Sequence, residues 1–277
     1  MKYLSTRRRH PLAGLLVVLL GLLAVGALYS ALRPATAAAD GAKTDEELVS
    51  AGRQLYVVSC SSCHGLNAEG IVTKRGSNYG PPLVGVGAAA VDFQVGTGRM
   101  PMEQSGTQAP SKEPVFNEEE TRALAAYIAS LGPGPAIPDE QSYNTAGATE
   151  EQIVRGGQLY LTNCSACHNY AASGGALRDG RYAPPLLDVE SRYMYDAMLT
   201  GPQQMPVFSD EVLTPEDKLA IISYINVLKS QPAYGGSGLG SLGPTTEGLW
   251  GWLGGIGALV LAAVWIANNG ARAGGQS

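Results

Sequence analysis

Two pentapeptides carry the reactive side chains of this sequence. Cys60-Ser61-Ser62-Cys63-His64 and Cys164-Ser165-Ala166-Cys167-His168 hold all four cysteines and two of the three histidines. Two thiols three residues apart lie on one helical turn. Both can add to the vinyl groups of a haem as thioethers, and the histidine that follows then falls beneath the iron. C-x-x-C-H is the attachment signature of c-type haem. Three other chemistries use paired cysteines. A structural zinc site would join pairs 104 residues apart and leave each histidine without a use. Disulfides suit an exported protein, but an adjacent C-x-x-C pair is redox-active rather than structural. A thioredoxin-like pair needs a βαβ context that the flanking pattern lacks. The sequence therefore predicts two haem c groups attached through Cys60, Cys63, Cys164 and Cys167, with His64 and His168 as iron ligands.

An internal repeat surrounds the two motifs. Gly52-Arg53-Gln54-Leu55-Tyr56 precedes the first and Gly156-Gly157-Gln158-Leu159-Tyr160 the second, at the same offset as the cysteines. Gly80-Pro81-Pro82-Leu83 is echoed by Ala183-Pro184-Pro185-Leu186, and Arg99-Met100-Pro101 by Gln204-Met205-Pro206. Helix starts repeat as well. Thr44 with Glu47, Thr149 with Gln152, and Asn117 with Glu120 have capping-box spacing. Thr214 followed by Pro215 opens a final helix reaching about Lys229. Each copy reads as helix, haem motif, loop, Met-Pro, helix. That is an all-α unit of roughly 90 residues, too small for a large core unless a haem supplies it.

The second axial ligand follows by elimination. The one histidine outside the motifs, His10, lies beside Arg7, Arg8 and Arg9 and cannot reach either haem. The first copy offers Met100 and Met102, the second Met194, Met198 and Met205. Met194 and Met198 are one turn apart in an expected helix, which suits core packing. Met100 and Met205 occupy matching positions, each before proline, and are the expected ligands, with Met102 the main rival. His/Met ligation closes both coordination positions and raises the potential. Such an iron carries electrons without binding substrate.

Two apolar runs flank this middle. Residues 11–32 contain no charge, and at 1.5 Å per residue they span roughly 33 Å, enough for a bilayer. Residues 248–267 form the second run, with Trp250, Trp252 and Trp265 near its ends, where interfacial aromatics belong. Lys2, Arg7, Arg8 and Arg9 precede the first run and Arg272 follows the second. Both termini are thus expected in the cytoplasm, with the haem domains outside. Residues 36–247 hold 13 Lys and Arg and all 24 Asp and Glu, an acidic face that disfavours nucleic acid and suits a basic partner. Ala35-Thr36-Ala37 offers a cleavage site, so a removed signal peptide is the alternative for the first run. Its apolar stretch, however, exceeds the roughly 7–15 residues of such a region.

The expected organisation is a signal-anchor or transmembrane segment over 1–35, haem domains over 42–132 and 149–230, and a linker over 133–148. A Gly-rich tether over 231–247 and a C-terminal transmembrane helix over 248–268 complete it.

The repeated residues resemble the class I cytochrome c fold. Gly52 and Gly156 match the glycine that lets the first and last helices of that family cross closely, with Tyr56 and Tyr160 facing Tyr127 and Tyr224. The resemblance implies that the Pro81 carbonyl accepts from His64 and the Pro184 carbonyl from His168, fixing each ring. Ala183 departs from the glycine usual there. The whole chain, two tandem cytochrome c domains flanked by N-terminal and C-terminal transmembrane helices, resembles the cytochrome cc subunit of the actinobacterial cytochrome bcc complex. That family is a membrane menaquinol–cytochrome c reductase. The resemblance implies a cytochrome b subunit, a Rieske iron–sulfur subunit as electron donor and a haem–copper cytochrome c oxidase as acceptor. A dihaem subunit of another membrane oxidase or dehydrogenase is the alternative. A dihaem peroxidase would need an open or His-gated iron, and no exported histidine is spare.

Overall fold

The computed structural model describes residues 13–32, 44–74, 76, 78–230 and 244–274. His10, the basic residues before the first apolar run, Ala35-Thr36-Ala37 and residues 231–243 of the tether lie outside the described residues. The chain divides into Met1–Thr44 and Asp45–Ser277.

The first unit contributes α1, Ala13–Leu32. Its apolar stretch Gly14–Leu28 is shorter than the stretch Gly248–Asn269 near the other end of the chain. Two flanking spans were expected. Among the described residues one stretch, Gly248–Asn269, is long and apolar enough to cross a bilayer, and none of it is buried by protein.

In the second unit one order of elements occurs twice. The first copy is α2 (Asp45–Ser59), α3 (Ser61–His64), β1 (Ile71–Val72), β2 (Asn78–Gly80), α4 (Ala88–Gly96) and α5 (Glu118–Ser130). After α6 (Glu140–Tyr143), the second is α7 (Glu150–Asn163), α8 (Ser165–His168), β3 (Gly175–Ala176), β4 (Tyr182–Ala183), α9 (Ser191–Thr200) and α10 (Pro215–Ser230). A final helix, α11, runs over Pro244–Gly274.

The capping boxes at Asn117–Glu120 and Thr149–Gln152 are formed in both directions. Thr214 Oγ1 accepts from the Asp217 N–H at 3.3 Å, and Pro215 opens α10 where a missing N–H is harmless. α2 packs on α5 and α7 on α10. Each crossing is set by a glycine. A Cβ at Gly52 would lie 1.9 Å from the Ala123 carbonyl oxygen, and one at Gly156 would lie 1.9 Å from that of Ala220. The backbones touch there, and no side chain fits. Beside each crossing two rings meet, Tyr56 with Tyr127 at 5.2 Å and Tyr160 with Tyr224 at 5.6 Å between centroids.

Three features depart from the sequence reading. The all-α expectation holds for the helical framework, but each loop after a haem motif contains a small antiparallel ladder, Ile71 opposite Gly80 and Gly175 opposite Ala183. Strands this short carry no alternation to read, and the ladder satisfies backbone groups where the chain reverses. The loop of the first copy also contains α4. It is apolar on most faces, burying Ala89, Val91, Phe93 and Val95, so it shows no helical stripe. It is covered on one side by α5 and on another by α9 of the second copy.

The linker packs against both copies. Ala89 donates its N–H to the Pro135 carbonyl at 3.1 Å, and α6, capped by Asp139, lies against α9 and α10. The structure also starts the last helix at Pro244, so residues 244–247, read as tether, form its first turn.

Candidate haem-binding sites

Each haem motif hangs from the end of its long helix. Tyr56 Oη donates to the Gly65 carbonyl at 2.7 Å, and Tyr160 Oη donates to the Asn169 carbonyl at 2.5 Å. Each tyrosine thereby ties its helix to the residue after the histidine. That residue has positive φ in both copies, +82° at Gly65 and +66° at Asn169, which turns the chain sharply out of the short helix. The next reversal repeats too. Leu83 N–H donates to the Ala68 carbonyl and Leu186 N–H to the Ala172 carbonyl, both at 2.8 Å.

This turn delivers a proline carbonyl to each histidine. His64 Nδ1 lies 2.7 Å from the Pro81 oxygen and His168 Nδ1 lies 3.0 Å from the Pro184 oxygen. A carbonyl accepts only, so Nδ1 carries the proton and Nε2 is left as a lone-pair donor. Burial pushes the His168 imidazole below its ordinary value, with the Pro184 bond opposing, and a neutral ring is the ligating form. In the first copy a Cβ at Gly80 would lie 2.1 Å from the Cys63 carbonyl oxygen. The second copy accommodates Ala183 at the repeated position, buried.

None of the four cysteines is bonded to another. Burial pushes the Cys60 thiol up to about 11 and Cys164 up to about 12, with Cys63 and Cys167 adding to the shift. A redox dithiol needs the opposite shift. Met100 packs with Cys60 and Leu83 against the core of the first copy, and Met205 packs with Cys164 and Leu186 against that of the second. Met194 and Met198 are buried inside the second core. Met102 is half-buried.

The second copy contains a cavity of about 580 Å³ lined by Cys164, Cys167, His168 and Met205, within the roughly 300–1,000 Å³ of cofactor pockets. The sequence reading missed its opposite wall. That wall comes from the first copy and includes Phe93, Thr97, Arg99 and Lys112. The segment following α4 is held there by cross-copy bonds. Gln108 Nε2 donates to the Tyr182 carbonyl at 2.7 Å, and its Oε1 accepts from the Tyr182 N–H at 2.9 Å. Gln203 Nε2 donates to the Ala109 carbonyl at 3.1 Å.

A charged cluster fastens the same interface. Asp92 of α4 accepts from Arg192 of α9, through Nε at 2.5 Å and through Nη2. Arg192 Nη1 also reaches Glu118 at 3.4 Å. Asp196 of α9 is fully buried beside Asp92, and neither of its oxygens has a donor. Two ionised carboxylates have no proton to share. Burial first, and then the Asp92 side chain, push Asp196 up to about 9, so it is protonated at neutral pH. A lone Asp in each of two helices from different copies gives no sequence signal of this pairing.

Comparison with known proteins agrees with the repeat. Residues 49–132 match the family model described as cytochrome c, and residues 151–225 match that described as cytochrome c oxidase, cbb3-type, subunit III. A cytochrome bc1 complex cytochrome c subunit of Corynebacterium efficiens is 41% identical over 285 residues, covering 97% of this chain and 93% of that protein. The subunit of the same description from Mycobacterium tuberculosis is 41% identical over 263 residues, covering 94% and 92%. The chain belongs to this family. A cbb3-type cytochrome c oxidase subunit of Rhodobacter capsulatus is 34% identical over 97 residues, a third of each chain. The likeness to the oxidase is that of one domain, whereas the likeness to bc1 cytochrome c subunits runs the length of the protein. As a cytochrome c subunit of that family the chain is an electron carrier with haem c-binding domains. The residues present fit that cofactor. The second cavity has room for it, both histidines are held with Nε2 available, and Arg181 keeps a buried Nε with no acceptor in the cavity wall.

Proposed function

We propose that this chain is the dihaem arm of a membrane quinol–cytochrome c reductase, taking electrons from a Rieske iron–sulfur subunit and passing them to a haem–copper oxidase. The observation that carries this reading is the 41% identity over 97% of the chain to a subunit named for a bc1 complex. One haem is attached at Cys60 and Cys63, the other at Cys164 and Cys167, with His64/Met100 and His168/Met205 as axial pairs. Bound haem supplies a one-electron ferric/ferrous couple. The chain's own side chains do the rest. Pro81 and Pro184 hold the histidine rings, and the methionines close the opposite faces so that electrons pass without a substrate binding.

The domains run over 42–132 and 149–230. The helix at Gly248–Asn269 anchors them, and residues 1–35 provide a second anchor. Both termini are cytoplasmic and the acidic haem domains face outward. Cytochrome b is the expected membrane neighbour.

Two experiments test this. Cys60→Ala and Cys164→Ala should each halve the covalent haem stained on a denaturing gel, and the double variant should abolish it. Unchanged staining in either single variant refutes two attached haems. Isolation of the tagged full chain from membranes should bring cytochrome b and Rieske subunits with it. Recovery with a dehydrogenase instead would support the other reading, a dihaem subunit of a different complex.

A further inference from the structure

The wall that the first domain lends to the second haem cavity contains an unusual cation. Arg99 is only 9% exposed, and its guanidinium carbon lies 4.6 Å from the centre of the Phe93 ring. Among the described residues no carboxylate or carbonyl accepts from it. Lys112, in the same wall, already pairs with Glu103 at 3.1 Å. In the part of the lining that the second domain contributes, Arg181 has a buried Nε with no acceptor. Arg181 precedes Tyr182, the residue that Gln108 clamps to the first domain.

An arginine cannot escape burial by losing its proton, and a buried charge without a counter-ion is strongly unfavourable. Two guanidinium groups with unmet donors around one cavity therefore call for an anion inside it. Haem brings two carboxylates on its propionates, and the guanidinium fork matches a carboxylate in bidentate fashion. The repeat adds a discriminating detail. Arg99 precedes Met100 where Gln204 precedes Met205, so the cation belongs to one copy and serves the cavity of the other.

We propose that Arg99 of the first domain and Arg181 of the second hold the propionates of the second haem, so that the first domain completes the second haem's site. This rests on the dihaem reading above. The residue bonded to the second haem's propionate is the immediate neighbour of Met100, the ligand of the first.

The test is a redox titration of the full chain in its detergent-solubilised complex, with haem staining run in parallel. In the native protein a propionate clamped by two arginines stays ionised, so the second haem's potential should be flat from about pH 5 to 8. A slope there overturns the proposal without any variant. In Arg99→Gln the lost cation favours the ferric state. The ferrous-to-ferric ratio of the second haem at a fixed solution potential should fall roughly tenfold, and a pH slope should appear in that window. Arg99→Lys should restore part of the ratio. An unchanged second haem in a fully haem-loaded Arg99→Gln protein overturns the proposal, as does a shift confined to the first haem. Loss of staining in the native chain would instead strike the dihaem reading itself.

Discussion

Met100 and Met102 are separated by one proline, and their surroundings separate them further. Met100 packs with Cys60 and Leu83 against the first core, as Met205 packs with Cys164 and Leu186 against the second. Met100→Leu and Met205→Leu should each remove half of the weak sulfur-to-iron band at the red end of the visible spectrum. Met102→Leu should leave it whole. Loss of the band in Met102→Leu alone would reassign the first ligand. At the same scale, the Pro81 and Pro184 carbonyls act through backbone atoms, so side-chain substitution cannot delete them. This explains why a bond of 2.7 Å in one copy and 3.0 Å in the other is marked in sequence only by a Pro-Pro-Leu echo.

Helix pairs are the next level, and their weakest tolerance lies at the crossings. Gly156→Ala would drive a methyl group to 1.9 Å from the Ala220 oxygen, and backbone on both sides cannot yield as a side chain would. Unfolding of the haem-loaded protein in denaturant should show a loss of about 3 kcal/mol, the upper range for overpacking. A loss below about 1 kcal/mol would mean that α7 and α10 slide apart freely.

The contact of α4 with α9 should respond to pH. An unfolded aspartate ionises near pH ~4, whereas Asp196 is held protonated up to about 9. Between those values the native state keeps a proton that the unfolded state has released. The Asp196 contribution to stability is therefore full below pH ~4 and declines as pH rises towards 9, by at most about 1.4 kcal/mol per pH unit. The groups facing Asp196 are Asp92 and Arg192, with Tyr193 on its own helix and Tyr143 on α6. Asp196→Asn keeps the size of the side chain and removes the titration, so its stability should vary less with pH. An unaltered pH profile would show that another group governs the interface.

For the molecule as a whole, the question is what α11 does beyond anchoring. Gly251 and Gly255 lie one turn apart on one face, and a Cβ at either meets nothing within 4 Å. Substitution there leaves the chain's own fold undisturbed, so any effect must come from a neighbouring helix. Small residues at this spacing let two membrane helices approach closely. Gly251→Leu with Gly255→Leu should leave membrane insertion and haem content intact, yet loosen co-purification with cytochrome b and slow quinol-to-haem electron transfer. Full co-purification at the normal rate would reduce the helix to a tether.

The sequence alone determined the haem motif and its duplication. Covalent attachment and proximal ligation need fixed residue types at fixed short spacing, so Cys60-Ser61-Ser62-Cys63-His64 and its copy are legible without a structure. Capping boxes and the Gly-Tyr helix signature are equally local. Tertiary structure alone decided how the copies meet. The helix α4, apolar on most faces, is informative only once α5 and α9 cover it. Asp92, Asp196 and Arg192 become a cluster only when residues 100 positions apart in sequence are brought together. Arg99 stands in the sequence only as the residue before Met100, until the fold buries it in the wall of the other domain's cavity. Contacts between domains leave no period and no spacing in the chain, because the residues that make them are chosen by shape and charge across a gap that the sequence does not encode locally.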